Sequence, residues 1–113
     1  MVAPYVPRAG DLIWIDFDPQ AGQEQAKRRP ALVITDHSYN QASGLALVCP
    51  LTSRRKPYPF ALPVTVDKIE GAVLVDQLKR FDWRARKAAL HSRADAALLA
   101  KVRSYLGVLL GIR

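Results

Sequence analysis

The chain has 113 residues, a formal net charge of +7 and a calculated pI of about 10.0. Half of it is hydrophobic and 24% is charged, which excludes a disordered chain and leaves enough apolar surface for a core without staples. A single cysteine, Cys49, excludes an internal disulfide, and no run approaches the ~18 apolar residues of a membrane span. No N-terminal stretch has the apolar run of a signal peptide. The expectation is one domain over residues 1–113, in the cytoplasm. Excess cations on a small domain point to an anionic partner: nucleic acid, an acidic protein or a membrane surface. The alternative is that the basic surface serves solubility alone.

In GDLIWIDFDP, Leu12, Trp14 and Asp16 alternate with Ile13, Ile15 and Phe17 between Gly10 and Pro19, which predicts a first strand. A polar loop follows from Asp18 to Arg28. RPALVIT predicts a second strand, with Pro30 fixing its own φ and pushing Arg29 toward extended geometry. DHSYNQASG reads as a turn or one short helical turn. LALVCPLT predicts a third strand, and Pro50 within it suggests an edge or a bulge. SRRKPYP is a basic loop. FALPVTV and GAVLVDQLKRFDW supply two or three more strands. Short strands at this spacing, with few helices between them, predict a mainly β chain folded as a small antiparallel barrel.

The last stretch, SRADAALLAKVRSYLGVLLG, predicts a helix. Ser92 and Asp95 have the spacing of an N-terminal cap, and Gly111 is a plausible stop. Leu98, Val102, Tyr105, Leu106 and Leu109 recur at helical spacing. Ala97, Leu99, Val108 and Leu110 add more apolar surface than one barrel contact needs, enough to cover a barrel end or a second subunit.

Neither a cofactor nor a metal is expected. His37 and His91 stand far apart, with no Cys or His at ligand spacing, and no Gly-rich phosphate loop is present. The remaining candidates are cationic and hydroxylic. Arg29 falls where loop meets strand. A guanidinium there can grip a phosphate with two parallel hydrogen bonds, or be an ordinary strand-end arginine. Thr52 and Ser53 precede Arg54, Arg55 and Lys56, so their hydroxyls either bind a phosphate oxygen or form a turn. Glu24 is a possible proton acceptor or a solvated loop residue. Lys79, Arg80, Arg84, Arg86 and Lys87 form a second basic cluster. Aromatic side chains among these segments, Tyr58 and Phe60 included, can stack on bases or fill the core.

Taken together, YVPRAGDLIWIDFDP, GQEQAKRRPALVIT, CPLTS, YPF, DQLKRFDWRAR and the terminal VLLG, in this order and spacing, resemble the MazF/PemK/Kid family of toxin–antitoxin endoribonucleases. The resemblance spans nearly the whole chain. It implies an SH3-like antiparallel β-barrel with a C-terminal helix, the MazF/CcdB-like toxin fold, working as a homodimer. It implies metal-independent cleavage of single-stranded RNA, chiefly mRNA, at a short sequence. The ribose 2′-hydroxyl attacks the adjacent phosphate and leaves a cyclic phosphate and a 5′-hydroxyl.

By this match Arg29 and Thr52 are catalytic, with Glu24 in a supporting role, and Phe17, Asn40, Lys56 and Gln77 touch RNA. The RNA-binding set also takes in Lys27, Arg28, Ser53, Arg54 and Lys79. Arg29 is expected to neutralise charge at the reacting phosphorus, because a group with a pKa above ~12 is a poor proton shuttle. Lys27, Arg28, Arg54 and Arg55 make the neighbouring loops more basic than in a typical member, so the preferred RNA sequence can differ. The resemblance further implies a cognate acidic antitoxin, MazE-like, with a disordered C-terminal tail, for which a net charge of +7 is suited. Two other readings share this architecture: a non-enzymatic toxin that poisons DNA gyrase, and a barrel that binds nucleic acid without cutting it.

Overall fold

The computed structural model describes residues 5–16, 28–53, 58–66 and 69–112. Seven strands and two helices follow in order: β1 (Asp11–Asp16), β2 (Arg28–Val33), α1 (His37–Ser43), β3 (Leu45–Thr52), β4 (Ala61–Val66), β5 (Ile69–Leu74), β6 (Lys79–Asp82), β7 (Ala89–Arg93) and α2 (Ala96–Leu110). A 3₁₀ turn, Val75–Gln77, joins β5 to β6.

All strand pairings are antiparallel, in the order β4-β5-β3-β2-β1-β7, with β6 also on β3. The sheet curls into a half-barrel with α2 against one face, as the barrel-plus-helix expectation required. Strand β3 is the hub. It pairs with β2 along one edge; along the other it pairs first with β6, over Leu45–Val48, and then with β5, over Leu51 and Thr52. Pro50, expected at an edge or a bulge, is instead buried in this interior strand opposite Ala31. It is tolerated because it falls between the last β6 pair and the first β5 pair.

Successive strand residues point to opposite faces, and here both faces are covered. Leu12, Leu32, Cys49, Leu51, Val73 and Val75 pack with Val102 and Leu106 of α2. Ile13, Ile15, Ala31, Val33, Ala46 and Val48 pack with Phe81 and Trp83. Double-sided burial explains why β2 and β3 read as nearly continuous apolar runs rather than clean alternations.

The start of α2 is capped by Asp95, whose carboxylate accepts the Leu98 N–H at 2.8 Å. Ser92 lies in β7 opposite Leu12, because the chain stays extended through Arg93 before turning into the helix. Gly111 ends the helix in the left-handed region, at φ 76°. Leu109 does not share the burial of Val102 and Leu106: it is 42% exposed, and Val108 and Leu110 are more open still. The segment expected as a turn or single helical turn is α1, closed by Gly44 at φ 74°. Strand β7 was not anticipated, since ALHSR has no apolar alternation and lies at the sheet edge on β1 alone. Among the described residues no helix is long and apolar enough to cross a membrane.

Candidate functional site

The site is built where β2 begins and β3 ends. Arg29 pairs with Ile15, and the β2–β3 ladder runs from Val33–Val48 to Ala31–Pro50. Continued two residues beyond its last pair, this register would bring Arg29 opposite Thr52. Facing residues of an antiparallel pair share one side of the sheet. That side is the one carrying Ile15, Ala31 and Val48, so a packed apolar floor lies beneath the pair. Arg29 is exposed and Thr52 half-buried, which leaves a cation and a hydroxyl reachable from solvent on a rigid base.

Thr52 is held from its other edge by β5, through its pairing with Ala72. Ser53 follows it and is exposed. Lys79 lies opposite Val48 on the same side of the sheet, four residues back along β3 and so about 13 Å from Thr52 at ~3.3 Å per residue. Gln77 is exposed in the 3₁₀ turn leading into Lys79. Arg29 and Thr52 thus stand at the same end of adjacent strands, Ser53 follows Thr52, and Lys79 and Gln77 lie further along the other edge of β3. Glu24, Phe17, Lys27, Arg54 and Lys56 lie outside the described residues, as does the side chain of Arg28, whose backbone pairs with Asp16.

Asn40 departs from its expected role as an RNA contact. It is fully buried. Its amide donates to the Pro7 and Thr35 carbonyls, both at 2.9 Å, and its Oδ1 accepts the Thr35 hydroxyl at 2.6 Å. Its own carbonyl accepts the Trp83 indole N–H at 3.1 Å. All of its polar groups are used inside the fold, so no edge is left for a base.

The second basic cluster is split by the strand pleat. Lys79 faces the site, and Arg80, opposite Leu47, faces the other way. Beyond β6, Asp82 accepts the N–H groups of Arg84 and Ala85 at 3.1 and 3.0 Å and shapes a turn, where the Arg84 guanidinium lies 4.8 Å from the Trp83 ring centre. Tyr58, 47% exposed, donates its hydroxyl to Asp76, beside Gln77, and that bond raises its pKa.

One buried polar arrangement was not read from the sequence. Asp11 is 1% exposed and accepts from the Tyr5 hydroxyl, from the Arg8 N–H at 3.0 Å and from Arg93 Nε at 3.1 Å. Burial, then the hydrogen bond to Asp11, pushes the Tyr5 phenol well above its ordinary range. Cys49 is buried, and burial followed by the charge of Asp76 pushes its thiol up to about 12. It is no nucleophile near neutral pH. Among the described residues no three His, Cys, Asp or Glu side chains cluster as metal ligands.

A curled antiparallel sheet backed by a terminal helix, with a cation and a hydroxyl at the ends of adjoining strands, defines a small basic β domain with a candidate anion-binding site. The profile of the family described as PemK-like, MazF-like toxin of type II toxin-antitoxin system matches residues 8–110. The chain is 41% identical to the Endoribonuclease toxin MazF of Escherichia coli (strain K12) over 111 residues, covering 98% of this chain and all of that protein. It is 28% identical to the Endoribonuclease PemK of Escherichia coli, over 89% of this chain and 80% of that one. The fold superposes on the crystal structure of MazE-MazF (Form-II) from Deinococcus radiodurans with a TM-score of 0.90, at 48% identity, over 97% of this chain and 100% of that one. The chain belongs to the PemK-like, MazF-like toxin family of type II toxin–antitoxin systems.

Proposed function

We propose that this toxin is an endoribonuclease that cuts single-stranded RNA at a short sequence, without a metal ion, and so stops translation and growth. What supports this reading is that Arg29 stands at the start of β2 and Thr52 at the end of its antiparallel neighbour β3, so both fall at the same end of adjacent strands. In the reaction the ribose 2′-oxygen bonds to the adjacent phosphorus and the bond from phosphorus to the 5′-oxygen breaks. The 2′-proton leaves to a base and the departing 5′-oxygen takes up a proton, giving a cyclic phosphate and a 5′-hydroxyl. Arg29 meets the charge that builds on the phosphoryl oxygens, and its strand backbone removes the need to reorganise. Thr52 orients the phosphate by hydrogen bonding. Glu24 is assigned to the proton transfer or to holding Arg29, on the strength of the family resemblance. Lys79, Ser53 and Gln77 line the path of the flanking nucleotides.

The working unit in this reading is a homodimer of single-domain chains, acting in the cytoplasm and neutralised by an acidic antitoxin. The exposed apolar end of α2, with Val108 at 72% and Leu110 at 60% exposure, supports a partner surface there. The purified protein, incubated in chelator with a long RNA, should produce new 5′ ends at a recurring short motif. Losing one preorganised donor lowers such rates by about 10²–10³. Arg29→Ala and Thr52→Ala should each do so with the fold retained by circular dichroism. Parent-like cleavage by either variant would refute the assignment.

A further inference from the structure

Gly71 lies in β5 immediately before Ala72, the register partner of Thr52, and itself pairs with Val64 of β4. It is buried. A Cβ on its backbone would lie 2.0 Å from the Thr52 carbonyl oxygen, 2.9 Å from the Thr52 carbonyl carbon and 3.2 Å from the Ser53 Cα. Gly10, Gly44 and Gly111 adopt positive φ, but Gly71 does not, so its own backbone conformation makes no demand for glycine. What demands it is the neighbouring strand: the space of the missing side chain is filled by the Thr52 main chain. An α-hydrogen points at that oxygen instead, a weak C–H···O contact of the kind that recurs between strands.

We infer that Gly71 is a positioning residue for RNA cleavage, letting the end of β3 close onto β5 and thereby fixing the backbone from which the Thr52 hydroxyl reaches the phosphate. This rests on the reading of Thr52 as a catalytic group. The obstacle to any side chain at position 71 is main chain, which cannot rotate away as a side-chain tip can. Real Cβ atoms essentially never approach a heavy atom closer than 3.0 Å, so the Thr52 carbonyl has to move by about 1 Å, a displacement that costs on the order of 10²-fold in rate when it falls on a catalytic group. RNA binding, spread over Arg29, Lys79 and the neighbouring loops, should be little affected.

The test is a double-mutant cycle on the full chain with Gly71→Ala, Thr52→Ala and the combined variant. Single-turnover cleavage is measured alongside binding of the same oligonucleotide carrying a 2′-deoxy sugar at the scissile position. The expected result is a fall of about 10²-fold in the Gly71→Ala cleavage rate with binding of the deoxy analogue retained, and a combined variant no slower than Thr52→Ala alone. A residue with only a general structural role would lose its factor again in the Thr52→Ala background. Additive losses, or a parent-like Gly71→Ala, would overturn the inference while leaving the role of Thr52 standing. A parent-like Thr52→Ala would instead sink the reading of the site, and the inference with it. If Gly71→Ala does not fold, Ala72→Val, which crowds Thr52 from its register partner, enters the same cycle with the same expectation and the same refutation.

Discussion

Asn40 offers a direct contest between the family pattern and the structure. The pattern assigns it to RNA; the structure spends its side chain on the Pro7 carbonyl, the Thr35 carbonyl and the Thr35 hydroxyl, at zero exposure. Asn40→Ala removes three side-chain hydrogen bonds and strands the buried Pro7 carbonyl and the partly buried Thr35 carbonyl. At about 1 kcal/mol each the loss is about 3 kcal/mol. The Thr35 hydroxyl keeps one partner, since it also accepts the Leu47 N–H at 3.1 Å, and this tempers the loss. For 113 residues, an unfolding entropy of roughly 2.1 cal/mol/K per residue converts 3 kcal/mol into a fall in Tm of about 13 °C. The assay pairs thermal unfolding by circular dichroism with cleavage-site mapping, performed well below the variant's Tm. The expected outcome is a large drop in Tm with the cleavage motif and rate close to those of the parent. A variant that melts within about 2 °C of the parent, a shift worth only about 0.5 kcal/mol here, yet loses cleavage or changes its motif would refute the buried role.

Two further outcomes are expected. Cys49, pushed up to about 12, stays protonated in the fold while an unfolded thiol ionises from about pH 9. Its contribution is therefore fully present below about pH 9 and lost as pH rises through about 12. Denaturant titrations should show the parent losing stability relative to Cys49→Ala over that window, and a constant difference between the two would contradict the burial of the thiol. RNA and an acidic antitoxin should compete for the rim. If the protein neutralises about four RNA phosphates, binding should weaken about 50-fold between 50 and 200 mM salt, and an Asp/Glu-rich peptide should protect the RNA from cleavage. A KM that is flat with salt, or no protection at saturating peptide, would speak against an electrostatic groove.

Much of the architecture could be read from the linear chain because it depends on local chemistry. The β1 and β3 segments follow from their apolar runs and flanking breakers, α2 from its 3.6-residue period, and the stop at Gly111 from the left-handed conformation that glycine adopts freely. Arg29 and Thr52 were also legible, because each stands at the end of a strongly marked strand. That they stand at the same end of adjacent strands was not. It depends on the register of β2 against β3, which is set by which face of each strand is buried, and a slip of one residue would turn Thr52 to the opposite side. The β7 strand escaped because an edge strand needs no alternation of its own once β1 supplies its hydrogen bonds. Asn40 and Gly71 escaped for a related reason. A polar side chain in a helical turn and a glycine before an apolar run have the same local signature whether solvent or another strand lies beside them. Only the packed chain, by bringing Pro7 and Thr35 to the one and the Thr52 carbonyl to the other, decides that both positions are interior.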